Sequence, residues 1–171
     1  IKLIKLGVSN NCELVTTSKY SKNGLKKIFI NKKITHVYQS SEKVHYNDKI
    51  NKSKDFILHI GTFEKRKDLL TLVKAFELFR DNTNSNLKLV LAGSKSFNGR
   101  KQVYKEIKRY ILKRNLISFI IMPGYINKKQ AIYYYNNAFA YVFPSIDEGF
   151  GIPLIEAMKA RVPVLCSDIE I

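Results

Sequence analysis

Short apolar segments alternate with amphipathic segments along most of this chain, and this alternation constrains its fold more than any other feature. The apolar runs cover residues 56–60, 87–92, 117–122, 139–143 and 162–166, and the first four end at a glycine or a proline. Between the first two runs, apolar residues recur at helical spacing, as at Leu69, Leu72, Val73 and Phe76. Apolar strands that alternate with helices predict an α/β fold, a Rossmann-like doubly wound parallel sheet. Such sheets bind ligands beyond the carboxyl ends of their strands.

The first 55 residues have a different character, which predicts a domain boundary. Residues 14–17 and 34–38 are candidate strands, and residues 19–30 form a candidate helix between them. Residues 41–55 are polar and charged without periodicity, as is typical of a linker. We therefore expect a domain remnant over 1–40, a linker over 41–55 and a second domain over 56–171. Because the chain starts at Ile1 and stops just after a strand, we expect both domains to be truncated.

The chain is strongly basic, with 30 Lys and Arg against 14 Asp and Glu and a net charge of +16. Such a charge suits nucleic acid, an anionic membrane surface or a negatively charged substrate. The lysines are spread over the whole chain, however, and a codon bias toward A and T also produces that pattern. Charge alone therefore leaves these alternatives open. Cys12 and Cys166 lie far apart without a companion ligand, which favours two buried thiols in a reducing cytosol over zinc or a disulfide.

The most informative motif lies in residues 144–158, where a strand ends, a glycine-containing loop follows and a helix begins near Ile152. The amides of a helix start beside Gly149 and Gly151 form a suitable anion site. Glu148 and Glu156 would repel a phosphate, but carboxylates accept hydrogen bonds well from sugar hydroxyls, one from a hexose and one from a ribose. The alternative to a binding site is that the glycines only form a tight turn and that Glu148 and Glu156 are solvated surface residues.

The complete string resembles the signature of the retaining glycosyltransferases of family 4, which have the GT-B architecture and two Glu residues separated by seven others. The resemblance extends to the loop 60–67, where Arg66 and Lys67 match the family's diphosphate ligands, and to the turn at Gly124 and Tyr125, whose backbone usually meets the nucleotide base. Residues 18–21 and 34–38 look like the end of the acceptor domain. The resemblance thus implies one truncated half of a GT-B fold, a nucleotide-sugar donor-binding domain over 56–171.

The resemblance implies retaining transfer of a hexose, with mannose favoured, from a nucleotide diphosphate sugar to a glycan or lipid-linked acceptor. The implied catalytic residues are Glu148, Arg66 and Lys67. The implied donor-binding residues are Glu156, Gly149, Phe150, Gly151, Ile152, Gly124 and Tyr125. No Asp-x-Asp motif is present to hold a divalent metal, so we expect neither a metal nor another cofactor.

Further expectations follow from the resemblance and from the basic charge. We expect a cytoplasmic location with optional peripheral contact at the inner membrane face, a missing N-terminal domain as partner, and no nucleic acid. The alternatives are a GT-B nucleotide-sugar epimerase and a basic nucleic-acid- or membrane-binding module without catalysis. Whether the piece is active alone is left open. Arg161 occupies the position where a glycine normally ends the helix, which predicts a less favourable C-cap.

Overall fold

The computed structural model describes residues 12–41, 54–96, 99 and 101–170. These residues form two compact units. The first contains residues 12–40, 148–151 and 170, and the second, the sheet unit, contains the other described residues. Residues 1–11 of the predicted remnant lie outside the described residues, and so does the predicted linker 41–55 except for residues 41, 54 and 55. The predicted domain limits therefore stay a prediction.

The N-terminal unit is built on a small parallel sheet. Strand β1 (Leu14–Thr16) pairs with β2 (Ile34–His36), and helix α1 (Lys19–Lys26) connects them. Ser18 caps the helix, because its side-chain oxygen accepts a hydrogen bond from the Ser21 amide over 3.1 Å. The helix ends at Lys26 rather than at the predicted residue 30, because the amides of Ile28 and Phe29 both turn back to the Leu25 carbonyl.

The sheet unit contains five parallel strands, which confirms the predicted α/β fold. They are β3 (Phe56–Ile60), β4 (Lys88–Ala92), β5 (Ile120–Gly124), β6 (Ala140–Phe143) and β7 (Val164–Cys166). Their spatial order is β5-β4-β3-β6-β7. The chain moves outward from β3 through β4 to β5 and then crosses to the other side of β3 to form β6. The topological switch point, where doubly wound sheets bind ligands, therefore lies between the carboxyl ends of β3 and β6.

Helices follow the strands of the sheet unit. They are a 3₁₀ turn (Lys65–Lys67), α2 (Leu69–Thr83), α3 (Gln102–Lys113), α4 (Lys128–Asn137) and α5 (Ile152–Lys159). Buried residues of α2 and α3 share one apolar cluster with Leu89 of β4, whereas residues of α4 and α5 share a second cluster with the next residue, Val90. Successive strand residues thus serve opposite faces, and a layer of helices covers each face of the sheet.

Two loop details decide where elements begin. Strand β5 starts at Ile120 and not at residue 117, because Asn115 is left-handed with φ at 54° and the Leu116 amide bonds back to Ile111 over 2.9 Å. Asn127 caps α4 by accepting from the Gln130 amide, and the Gln130 side chain in turn accepts from the Asn127 amide. Across the described segments, no helix combines the length and the apolar character needed to cross a membrane.

Candidate functional site

Three glycines form the carboxyl edge of the neighbouring strands β3, β4 and β5. The Gly93 amide donates to the Gly124 carbonyl over 2.7 Å, and the Gly61 amide donates to Ala92 over 2.9 Å. A Cβ added to Gly93 would lie 2.0 Å from the Gly61 carbonyl oxygen, and Gly93 has a φ of +143°. No side chain fits there, so the backbone itself forms a floor at the edge where ligands of such sheets bind.

Arg66 lies in the 3₁₀ turn after β3, where hydrogen bonds to Glu64 and to Asp147 hold its side chain. Its Nε donates to Glu64 Oε2 over 2.7 Å, and its Nη1 donates to the Asp147 carbonyl oxygen over 3.3 Å. The Glu64 side chain is only 9% exposed, whereas that of Arg66 is 37% exposed. A buried carboxylate thus fixes one edge of a guanidinium that remains accessible to solvent, and a fixed guanidinium is well suited to bind phosphate oxygens.

Lys67 is buried beside the last residue of β6. Its residue exposure is 6%, and its Nζ lies 4.8 Å from the centroid of the Phe143 ring, a cation–π contact. Its Cε packs 3.7 Å from the position that a Cβ on Gly61 would occupy. Lys67 therefore lies between the ends of β3 and β6, at the switch point. Burial of a lysine head group at this place brings positive charge close to any ligand bound there.

His59 supports this part of the sheet from within β3. The ring is fully buried, contacts the Val142 carbonyl through Nδ1 over 2.9 Å, and stacks near Tyr141 and Phe143. The hydroxyl of Tyr141 donates to the Ile60 carbonyl over 3.2 Å. These contacts join β3 and β6 across the switch point, and they make His59 a packed residue of the sheet.

Glu156 lies one turn into α5, as predicted, and Ile152 is the first residue of that helix. The Tyr135 hydroxyl of α4 donates to Glu156 Oε2 over 3.0 Å and lies 3.4 Å from the Pro153 carbonyl. Glu156 is half-buried, whereas Tyr135 is buried. A neighbouring helix therefore holds the carboxylate of Glu156.

Residues 148–151 belong to the N-terminal unit. Within that unit, the Phe150 ring stacks on Tyr38 at 6.0 Å between centroids, and a Cβ on Gly149 would lie 3.8 Å from the Ser21 Oγ. Glu148 is 8% exposed, and Gly151 has a φ of +83°, which favours glycine immediately before α5. The predicted residues Glu148, Gly149, Phe150 and Gly151 thus group with β2 and α1.

The other predicted residues all lie in the sheet unit. Gly124 ends β5, with a φ of +84°, and Tyr125 follows it with 80% exposure. Arg66 and Lys67 lie at the switch point, and Glu156 lies on α5. The structure brings Arg66 and Lys67 together, because they are neighbours in one turn and both contact the end of β6 or the loop that follows it.

Three residues near the site received no role from the sequence. Glu64 holds Arg66, and Tyr135 holds Glu156. Lys95 lies on the loop after β4, and its Cε would be 3.4 Å from a Cβ on Gly124. The position of Lys95 two residues after a strand-ending glycine was the available signal. The roles of Glu64 and Tyr135 depend on contacts that residue types alone do not reveal.

Comparison with known proteins connects this geometry to a family. A family model described as "Glycosyl transferases group 1" matches residues 40–171. The "O-antigen chain mannosyltransferase B" of Escherichia coli is 32% identical over 114 residues, which cover 67% of this chain and 29% of that protein. The "O-antigen chain mannosyltransferase RfbU" of Salmonella typhimurium strain LT2 is 28% identical over 171 residues, which cover 99% of this chain and 46% of that protein.

Solved structures share the fold. The crystal structure of TarM has a TM-score of 0.77 and 23% sequence identity, and the match covers 93% of this chain and 30% of that one. The chain spans less than half the length of each of these three proteins. The family match over residues 40–171 confirms the resemblance drawn from residues 144–158, and this chain belongs to the group 1 glycosyl transferases.

Proposed function

We propose that this chain carries the donor-binding part of a retaining, metal-independent hexosyltransferase that uses a nucleotide diphosphate sugar. The observation that carries the proposal is the position of Arg66 and Lys67 at the switch point between β3 and β6. A diphosphate is the anionic group that all such donors share. Two cations beside a floor of backbone glycines provide charge and room for it.

The chemical difficulty in sugar transfer is the negative charge that builds on the departing diphosphate. Arg66 offers a guanidinium whose orientation is fixed by Glu64, and fixed donors stabilise developing charge without the cost of reorganisation. Lys67 adds a charge in a partly desolvated position, where electrostatic interactions are stronger than in water. These two residues supply the electrostatic stabilisation that a bound metal provides in other enzymes, which is the basis for proposing metal independence.

The two glutamates receive different roles in this proposal. Glu156 accepts hydrogen bonds from the ribose hydroxyls of the nucleotide, and Glu148 orients the hydroxyls of the donor sugar. The amides at the start of α5 interact with the phosphates, and the backbone at Gly124 and Tyr125 meets the base. The oxygen of the acceptor hydroxyl bonds to the anomeric carbon on the face from which the diphosphate leaves, and its proton passes to the departing phosphate oxygen. The mechanism therefore requires no nucleophilic side chain.

The donor sugar and the acceptor are proposed from the names of the relatives. Two of them are called O-antigen chain mannosyltransferases, which supports a mannosyl donor and a glycan or lipid-linked acceptor in surface-polysaccharide synthesis. The family match supports a transferase over a nucleotide-sugar epimerase of the same architecture. The remaining part of the protein, including an N-terminal acceptor domain, completes the enzyme in this proposal.

Calorimetry tests the donor site directly. The purified chain is titrated with GDP, UDP and their common sugar conjugates in the presence of EDTA, and again with Mg²⁺. We expect micromolar to low-millimolar binding of one base, unchanged by the metal. Glu156→Ala should weaken binding by about tenfold or more, because it removes a charged acceptor.

A matched control keeps this result specific. Lys65→Ala removes one charge from the exposed residue next to Arg66 and should leave the affinity nearly unchanged. If the folded wild-type chain binds none of these nucleotides, the donor-site proposal is wrong for this chain. If it binds only with Mg²⁺, the metal-independent part is wrong.

We further propose that the protein contacts an anionic membrane peripherally, through the exposed face of α3. Four cations on this helix are exposed, namely Lys105, Lys108, Arg109 and Lys113. Leu112 is 51% exposed among them, and Ile117 beyond the helix is 63% exposed. Each cation near an anionic bilayer contributes about 1 kcal/mol, and exposed apolar side chains can insert between lipids. This combination favours a lipid surface over nucleic acid.

Vesicle sedimentation distinguishes this contact from attraction by net charge. The chain should bind phosphatidylglycerol-containing vesicles, and a triple variant with Lys105, Lys108 and Arg109 changed to Glu should lose most of that binding. A control variant with Lys19, Lys26 and Lys27 changed to Glu alters the charge equally on exposed residues of the other unit. Equal losses in both variants would contradict a specific surface on α3.

A further inference from the structure

Tyr135 makes a contact that none of the roles above uses. It lies on α4, is 2% exposed, and donates from its hydroxyl to Glu156 Oε2 on α5 over 3.0 Å. The Pro153 carbonyl oxygen lies farther from the same hydroxyl, at 3.4 Å. A phenol carries one proton to donate, and a charged carboxylate is the stronger acceptor. The main hydrogen bond of Tyr135 therefore goes to Glu156.

The position of the Tyr135 hydroxyl is fixed by the core of the sheet unit. Its ring packs against Tyr141 of β6 with 5.5 Å between centroids and belongs to the apolar cluster that α4 and α5 share with the sheet. Burial raises the pKa of the Tyr135 hydroxyl, and the nearby Glu156 acts in the same direction. The hydroxyl consequently stays protonated and keeps its role as a donor at all ordinary pH values.

We propose that Tyr135 is a positioning residue that holds the Glu156 carboxylate in the orientation needed to accept hydrogen bonds from the ribose. This inference rests on the proposed function, which assigns Glu156 to the ribose. A carboxylate has about four lone-pair sites, so a bond from Tyr135 is compatible with further bonds from a vicinal diol. A glutamate side chain has several rotatable bonds, and fixing it in advance lowers the entropic cost of binding.

The ligand selectivity of a Tyr135→Phe variant tests this role. The variant keeps the buried ring and removes only the hydroxyl. Calorimetry of the 171-residue chain compares the nucleoside diphosphate that it binds with the 2′,3′-dideoxy analogue of that nucleotide. We expect Tyr135→Phe to lower the affinity for the ribonucleotide about three- to tenfold and to leave the affinity for the dideoxy analogue unchanged. Tyr133→Phe, on the exposed side of the same helix, is the matched control and should change neither.

A double-mutant cycle with Glu156→Ala gives the second measurement. If Tyr135 acts through Glu156, Tyr135→Phe has no further effect on the affinity once Glu156 is removed. Tyr135→Phe could instead lower the affinity for both ligands equally, or its effect could add to that of Glu156→Ala in the cycle. Either result would mean that Tyr135 only supports the local structure, and the inference would be wrong. A wild-type chain that binds no nucleotide overturns the proposed function and this inference with it. Nucleotide binding that Tyr135→Phe leaves intact overturns the inference alone.

Discussion

The backbone amide of Ile146 donates a hydrogen bond to the carbonyl oxygen of Arg66, with 2.8 Å between the two atoms. This bond joins the loop after β3 to the loop after β6 at the switch point. A second bond, from Arg66 Nη1 to the Asp147 carbonyl, joins the same loops through a side chain. Because the backbone bond does not depend on the side chain at position 66, it still joins the two loops when that side chain is replaced.

Arg66→Ala should reduce nucleotide affinity, and because it also leaves the buried Glu64 carboxylate without this partner, the free energy of unfolding is measured beside it. We expect a loss of about 10- to 100-fold for a nucleoside diphosphate, the range for charged hydrogen bonds, and a clearly smaller loss for the corresponding nucleoside. Calorimetry with both ligands measures the difference. Lys65→Ala is the matched control, as it removes a neighbouring exposed charge. Equal losses for the diphosphate and the nucleoside would contradict a phosphate-binding role.

Gly93→Ala should destabilise the sheet unit strongly. The new Cβ would lie 2.0 Å from the Gly61 carbonyl oxygen, and the φ of +143° is unfavourable for alanine. Because the clashing atom belongs to the backbone, it cannot rotate away, and we expect a loss of about 3 kcal/mol or more in the free energy of unfolding. Chemical denaturation measures this loss.

Gly24→Ala is the natural comparison for that result. Gly24 lies within helix α1, and an added Cβ there meets nothing within 4 Å. Alanine in a helix is favoured over glycine by about 0.5–1 kcal/mol, so this variant should be as stable as the wild type or slightly more stable. A stable Gly93→Ala variant would mean that the strand ends approach each other less closely than the structure shows.

The sheet could be predicted from the sequence because its signals are local. Each run is short and mostly apolar, and four of the five are followed by a glycine or a proline, residues that seldom continue a strand. Arg66 and Lys67 could be placed at the carboxyl edge for the same reason, since they follow β3 directly. The parallel order of the strands follows from their alternation with helices.

The contacts that hold the site could not be predicted in this way. Tyr135 and Glu156 are 21 residues apart on different helices, and only the packing of α4 against α5 brings them together. A run of three tyrosines does not reveal which ring turns inward. Likewise, the grouping of residues 148–151 with β2 and α1 depends on packing between segments more than 100 residues apart in the sequence.

A buried carboxylate between α2 and α3 should make stability depend on pH. Glu77 accepts hydrogen bonds from the Tyr110 hydroxyl over 2.6 Å and from Arg114 Nε. The bond from Tyr110, together with Arg114, holds the pKa of Glu77 below its ordinary value of 4.5, although burial opposes the shift. A carboxyl group with a lowered pKa in the folded state stabilises the protein above pH 4.5, and this contribution is lost as the pH falls through the lowered value.

Glu77→Gln should remove that part of the pH dependence. We expect the variant to be less stable than the wild type near neutral pH, and the difference to narrow progressively below about pH 4.5. Denaturation curves between about pH 7 and about pH 3 measure both effects. Glu106→Gln, which removes an exposed carboxylate from α3, serves as the control. A constant difference between wild type and Glu77→Gln over the whole range would contradict the assignment.

Arg161→Gly should stabilise the end of α5. Arg161 has a φ of +52°, and its amide bonds back to the Met158 carbonyl over 2.9 Å, so a left-handed residue does end this helix where the sequence predicts an unfavourable cap. Glycine adopts this conformation without the steric cost that a side chain imposes, and it is the usual residue at this position.

The expected gain is about 0.5–1 kcal/mol in the free energy of unfolding, because the greater freedom of glycine in the unfolded chain offsets part of the relief. Met158→Gly, which places glycine inside the same helix at an exposed position, should instead lose about 1 kcal/mol. Urea denaturation of both variants gives the comparison. A loss of stability in Arg161→Gly would show that the contacts of the arginine side chain outweigh the strain of its backbone.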